Sequence, residues 1–294
     1  MLSSLLPFPL MSSAPDIRPD QSVELLKALH ILTRDGKLNQ DSRRKLKQVY
    51  HLFQFIEPLL KDLKQDRDGI TLVDHGSGKS YLGFILYDLY FKQLKDASHL
   101  YGIETRPELV ASAQDLARRA GFQGMSFLNL SAAEAIDSPR LPAQVDIVTA
   151  LHACDTATDD AIRYALAKEA RHIVIVPCCQ AEVAGVLRRR KQMSLGASAL
   201  AELWRHPLHT REFGSQATNV LRSLQLEAHG YQVTVTELVG WEHSMKNELI
   251  IASYKNLPRK KATERLENLL EMLGIGEMRA RFFGGAAPAA SAKA

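Results

Sequence analysis

The sequence predicts an α/β fold, a mostly parallel sheet with helices on both faces and an antiparallel hairpin at its end. Two observations predict it. Short apolar runs alternate with stretches of helical periodicity from residue 69 to residue 229, the pattern of strands joined by crossover helices. The last two runs, Tyr231 to Val239 and Glu248 to Tyr254, have too few residues between them for a crossover helix and must pair antiparallel. The individual strands are expected at 69–73, 98–103, 125–129, 145–150, 172–176, 231–239 and 248–254. Helices are expected at 79–94, 107–120, 157–170, 181–192 and 215–229.

The flanks read differently. Residues 1–20 are rich in Ser and Pro and are expected to be disordered. Residues 21–66 carry apolar positions at helical spacing (Val23, Leu25, Leu26, Leu29, then Leu46, Val49, Leu52, Phe53, Ile56) and form a helical extension. Residues 67–257 hold the α/β domain. Residues 258–294 hold a charged amphipathic helix, Arg259 to Leu273, and a flexible tail rich in Ala, Pro, Ser and Lys after Ala287.

Composition narrows the class. The 294 residues, 46% of them hydrophobic, suffice for one large domain with its own core. No apolar run reaches the roughly 18 residues that a membrane span needs. Met1 to Pro15 lacks an early basic residue and is broken by Pro7 and Pro9, unlike a signal peptide. Three cysteines, two of them adjacent, do not make a disulfide framework, and a reducing cytoplasm is the expected home. The net charge of +4 permits a nucleic-acid partner without requiring one.

The chemistry begins at Gly69-Ile-Thr-Leu-Val-Asp-His-Gly-Ser-Gly-Lys-Ser80. Ile70 to Val73 suit a buried strand, Asp74 ends it, and Gly76 and Gly78 let the chain turn into a helix. Such a junction is a nucleotide-type pocket. A P-loop needs glycine where Val73 stands, and the G-x-G-x-x-G dinucleotide pattern needs one where Tyr81 stands. Asp74 would repel a phosphate but suits a cation. About thirty residues on, Glu104 closes the second strand, where a carboxylate can accept both hydroxyls of a ribose. S-adenosylmethionine (SAM) combines a sulfonium, an ammonium and a ribose and carries no phosphate.

Reactive groups gather at the ends of the fourth and fifth strands. Leu151-His-Ala-Cys-Asp-Thr-Ala-Thr-Asp159 packs His152, Cys154, Asp155 and Asp159 into a few residues; Asp155 or Thr156 could equally cap the next helix. The fifth strand ends in Pro177-Cys178-Cys179-Gln180. The turn from Gly240 to Asn247 falls at the same carboxyl edge, which brings His243, Lys246 and Asn247 there. Residues 177–230 form the expected substrate region, with Arg188-Arg-Arg-Lys191 and the cluster His206, His209, Arg211.

These segments carry a resemblance. Asp74-His-Gly-Ser-Gly-Lys79, Leu151 to Asp159, Pro177 to Gln180, His206-Pro-Leu208 with Arg211-Glu212, and Lys246-Asn247 resemble a bacterial family of class I SAM-dependent methyltransferases. That family is similar to the methyltransferase domain of methyltransferase-like 25 proteins and of the glutathione S-transferase C-terminal domain-containing protein. The resemblance spans about residues 45 to 257 and implies a Rossmann-like seven-stranded sheet of five parallel strands and a terminal antiparallel hairpin. Where the family often shows Thr-Pro-Lys-Asn, this chain has Ser244-Met-Lys-Asn247. The eukaryotic relatives often have Gly where Asp155 stands.

The resemblance implies a cofactor, SAM, held by Asp74, His75, Gly76, Ser77, Gly78, Glu104, Ser131, Ala132 and Leu151. It places His152 as base or orienting group, with Asp155, Lys246 and Cys178 beside it as catalytic residues. Cys179, Gln180, His206, Arg211 and Asn247 become acceptor-binding residues. RNA is the expected acceptor, by a more distant likeness to tRNA 2′-O-methyltransferases. No metal is expected, although His152 with Cys154, Cys178 and Cys179 offers zinc-type ligands without Cys-x-x-Cys spacing. Cysteine attack on a base, as in RNA cytosine-C5 methyltransferases, and a non-catalytic SAM-binding scaffold are the other readings.

Overall fold

The computed structural model describes residues 17–18, 21–151, 153–178, 180–194, 199–238 and 248–283. Seven strands form one sheet: β1 (Thr71–His75), β2 (His99–Glu104), β3 (Met125–Asn129), β4 (Ile147–Leu151), β5 (His172–Val176), β6 (Tyr231–Glu237) and β7 (Glu248–Tyr254). Their order is β3-β2-β1-β4-β5-β7-β6. β1 to β5 pair parallel, and β7 pairs antiparallel with both β5 and β6. β7 is therefore the one strand running against the rest.

The order reverses between β1 and β4, so the crevice of the sheet lies over the carboxyl end of β1. Strand β1 is held at its start as well. The Asp146 carboxylate accepts the Thr71 N–H at 2.8 Å and pairs with Arg67 at 2.8 Å, so Asp146 anchors the strand from the edge away from the crevice.

Helices α2 (Gln40–Asp66), α3 (Tyr81–Leu89) and α4 (Pro107–Arg119) cover one face. Phe53, Ile56 and Leu60 of α2 join the same core as Leu72, Phe84, Val174, Val176 and Leu249. The helical extension is thus one layer of the domain. Its lead-in helix, α1 (Val23–Ala28), is tied to α3 by Ser22 N–H donating to Asp88 at 2.8 Å.

On the other face lie α5 (Ala132–Asp137), α6 (Thr156–Ala167) and the end of α8 (Pro207–Ala228). Ala135, Ile162, Ala165 and Leu226 pack there on Val73, Val148 and Ile173. A third core joins α7 (Glu182–Ser194) and α8 to α9 (Lys260–Met272) and α10 (Arg279–Phe283) through Leu187, Leu221, Leu266, Leu270 and Phe282. The C-terminal segment is structured to residue 283, beyond the single helix the sequence predicts.

Helix α8 begins at Pro207, eight positions before the predicted start. Pro207 occupies the first turn, where its missing N–H costs nothing. Gly214 lets the helices cross closely: a Cβ there would lie 2.6 Å from the Ala184 Cβ of α7. α5 has no counterpart in the predicted helices; a reciprocal capping box between Ser131 and Glu134 sustains its six residues.

Candidate functional site

The turn after β1 is built by three residues at positive φ: Gly76 at 66°, Gly78 at 56° and Ser80 at 53°. Glycine adopts such backbone without steric cost, which explains both glycines. The Ser77 N–H reaches the Ile103 carbonyl at 2.9 Å, and the Ser80 N–H reaches the Ser77 carbonyl at 2.7 Å, closing the turn over the end of β2. Lys79 is exposed.

Two buried carboxylates flank this turn. Among the described residues, Asp74 accepts one hydrogen bond, from the Thr149 hydroxyl of β4 at 2.9 Å. Burial pushes its pKa up to about 7, and that single bond offsets little of the desolvation. Glu104, at the end of β2, is the opposite case. Burial raises its pKa, but the Arg106 guanidinium and N–H and the Gly78 N–H outweigh that and hold it at about 2. The Gly78 N–H donates to Oε2 at 2.9 Å, while Arg106 Nε reaches Oε1 at 3.0 Å and its Nη2 reaches Oε2 at 3.1 Å.

His75 is buried beneath the turn with its ring 5.7 Å from that of Tyr164. Burial drives its pKa down to about 4, so the imidazole is neutral at physiological pH. Neither ring nitrogen has a partner among the described residues, and the same is true of the Ser77 hydroxyl. Ser131 and Ala132 open α5 after β3; the Ser131 hydroxyl accepts the Glu134 N–H at 3.3 Å, so its side chain serves the capping box. Leu151, half-buried, ends β4 opposite Val176.

The β4 and β5 ends are bound together by Asp155. Its carboxylate accepts the N–H of Ala181 at 2.9 Å and of Glu182 at 3.2 Å, capping α7 rather than its own helix. Its backbone sits at φ 50° and ψ −121°, a conformation that glycine adopts far more readily. The Cys154 and Cys178 sulfurs, on these two loops, lie 3.2 Å apart.

Beneath the loops runs a buried polar network that the sequence reading missed. Arg222 of α8, 0% exposed, makes two hydrogen bonds to the Asp159 carboxylate, at 2.9 and 2.8 Å, and one to the Asp155 carbonyl at 2.8 Å. Asn219 accepts from Gln180 at 3.1 Å and donates to Glu248 at 2.8 Å. Ser215 donates to Gln180 at 2.6 Å. Gln180 is thus engaged inside the protein. The signal was present in the sequence: Ser215, Asn219 and Arg222 recur at helical spacing on one face of an otherwise apolar stripe.

Helix α8 runs back from the carboxyl edge of the sheet, so its exposed N-terminal residues His206 and Arg211 stand at that edge. The His206 and His209 rings meet edge to face at 5.3 Å, and Arg211 pairs with its neighbour Glu212 at 2.7 Å. His152, Cys179, Lys246 and Asn247 lie outside the described residues, as do His243 and the rest of the β6–β7 turn. No described helix is long and apolar enough to cross a membrane. Among the described residues, no cluster of His, Cys, Asp and Glu is arranged to hold a metal ion.

A family model described as "Methyltransferase domain" matches residues 44–186, from α2 through β5 into α7. The sheet has the seven strands, five of them parallel with a terminal antiparallel hairpin, that the sequence resemblance implies. Among solved structures, the chain is similar to magnesium protoporphyrin IX methyltransferase from Synechocystis PCC 6803 with bound SAH, at 16% identity. That match has a TM-score of 0.47 and covers 78% of this chain and 94% of the other. The same enzyme with bound SAM matches at 13% identity and TM-score 0.44, over 81% of this chain and 100% of that one. An rRNA methylase from Streptococcus thermophilus matches at 11% identity and TM-score 0.39, over 65% and 89% of the two chains. No curated protein sequence matches the chain.

Proposed function

We propose that the protein is a SAM-dependent methyltransferase. One observation carries the proposal: two buried carboxylates, Asp74 and Glu104, stand at the ends of adjacent strands on either side of a turn formed by Gly76 and Gly78. The residues fit the cofactor's chemistry. Among the described residues Asp74 has one hydrogen bond, and burial destabilises its negative charge, the state of a carboxylate that gains by meeting a cation. Glu104 is ionised throughout the physiological range and can accept two ribose hydroxyls once Arg106 yields its oxygens. The bound cofactor supplies an electrophilic methyl group on sulfur. The work left to the protein is to align an acceptor in line with that methyl, exclude water and accept a proton where the acceptor carries one.

Asp155, Asp159, Gln180, Asn219 and Arg222 hold the β4 and β5 loops in fixed relation, which favours positioning of an acceptor between them. His152 is proposed as the base or orienting group, with Lys246 as its electrostatic partner and Cys178 at the edge of the same opening. The likeness to the methyltransferase-like 25 group belongs to this proposal.

The acceptor proposed is RNA. Arg188 and Arg189 of α7 and His206, His209 and Arg211 of α8 are exposed on the substrate-side helices, and Arg43, Lys260 and Lys261 are exposed elsewhere. Full-length protein incubated with methyl-labelled SAM and extract from a strain lacking it is expected to label RNA. Label in protein or metabolites only would reject RNA, and no label in any fraction would reject methyl transfer. RNA binding should weaken steeply with salt, because each neutralised phosphate releases counterions.

A further inference from the structure

We propose that Cys154 and Cys178 form a dithiol site that closes reversibly to a disulfide across the mouth of the cleft. Their sulfurs are 3.2 Å apart, on loops that follow two adjacent parallel strands. A disulfide bond is about 2.05 Å long, so closure requires an approach of roughly 1.2 Å, within reach of side-chain rotation and a small loop shift.

The pairing is built into the fold. Asp155, next to Cys154, accepts the N–H groups of Ala181 and Glu182, a few residues past Cys178. Arg222 then fixes the Asp155 carbonyl, and the Gln180 side chain is held by Asn219 and Ser215. Both loops are therefore clamped at points adjacent to the sulfurs, which lowers the ordering cost of closing the bond. Cys154 is exposed and Cys178 partly so, and a dissolved oxidant can reach the pair.

The oxidant is a low-molecular-weight disulfide. The Cys154 thiolate attacks one of its sulfurs, forming a mixed disulfide and releasing the first thiolate. The Cys178 thiolate then attacks the Cys154 sulfur and releases the second. The protein's two thiols lose two protons, and the two electrons reside on the two reagent thiols. The new bond ties the β4–α6 loop to the β5–α7 loop beside the turn after β1, where a Cβ on Gly76 would lie 3.8 Å from the Ala153 Cβ, while Glu104 lies on the other side of β1. The site thus offers redox control of acceptor entry next to the cofactor turn.

The test treats full-length protein with glutathione disulfide, blocks remaining thiols by alkylation and maps the cross-link by mass spectrometry. The expected result is a loss of about 2 Da, reversed by dithiothreitol, with Cys154 and Cys178 in one linked peptide. Cys179→Ser should still close, and Cys178→Ser, lacking the resolving thiol, should stop at a mixed disulfide on Cys154. Absence of any cross-link in the unmutated protein, or a cross-link through Cys179, overturns the proposal. The readout involves no SAM, so this result is independent of whether the protein transfers methyl groups.

Discussion

Asp74 makes the affinity for SAM depend on pH in a way that can be worked from its surroundings. Its pKa in the protein is about 7, raised by burial. A cationic ligand beside it favours the ionised form, so binding must expel the proton below pH 7. At pH 5 only about 1% of the carboxyl is ionised and at pH 7 about half, so affinity should fall roughly fifty-fold between them, or ~2.3 kcal/mol. Glu104, with its pKa held at about 2, stays ionised over this range and adds no slope.

Isothermal titration at pH 5, 6 and 7 measures the effect directly. At pH 6, titration in buffers of different ionisation enthalpy should show close to one proton released per SAM bound. Asp74→Asn removes the titrating group and should bind weakly, with no pH slope. The sign for stability runs the other way. The native state keeps the Asp74 proton from about pH 4 to about pH 7, where the unfolded chain has lost it. Wild-type stability relative to Asp74→Asn should therefore fall as pH rises through that window, by up to about 4 kcal/mol, and level off above it. A wild-type affinity that is flat from pH 5 to 7 would refute the reasoning.

Further expectations follow from individual contacts. Arg106, 60% exposed on its side chain, competes with a ribose for Glu104. Arg106→Ala should tighten SAM binding by up to about fivefold, the worth of an exposed ion pair, and an unchanged or weaker affinity would contradict this role. Arg222→Ala leaves the buried Asp159 carboxylate and Asn219 without their shared donor; urea unfolding should show a loss of about 3–5 kcal/mol. Asp155→Gly relieves a strained backbone while giving up the cap on α7, two effects of about 1–2 kcal/mol each, so its melting temperature should stay near wild type. Asp155→Ala loses the cap and keeps the strain, and should melt clearly lower.

Much of the architecture was legible because the signals are local. The alternation of apolar runs with helical periodicity located all seven strands to within a few residues, and the short gap before Glu248 required the antiparallel end. Asp74, Gly76 and Gly78 announced the turn, since two glycines at a strand end have few other uses. What the sequence hid depends on partners distant along the chain. Gly214, just before the predicted start of α8, lets that helix pass close to Ala184 of α7, a contact visible only in the fold. Ser131 reads as a pocket residue; that its hydroxyl also caps α5 shows only in the fold. Asp155 reads as a reactive group or a cap for its own helix; its carboxylate leaves that helix uncapped and caps α7. Arg222 stands on an apolar stripe, and only the fold brings Asp159 to it.

The central claim is that the turn after β1, between Asp74 and Glu104, receives a phosphate-free sulfur nucleoside. Titration of the full chain with S-adenosylhomocysteine and, separately, with ATP tests it most directly. S-adenosylhomocysteine should bind with one site per chain, Glu104→Ala should abolish most of that affinity, and ATP should not compete. ATP binding that depends on Lys79, or an S-adenosylhomocysteine affinity indifferent to Glu104→Ala, would contradict it.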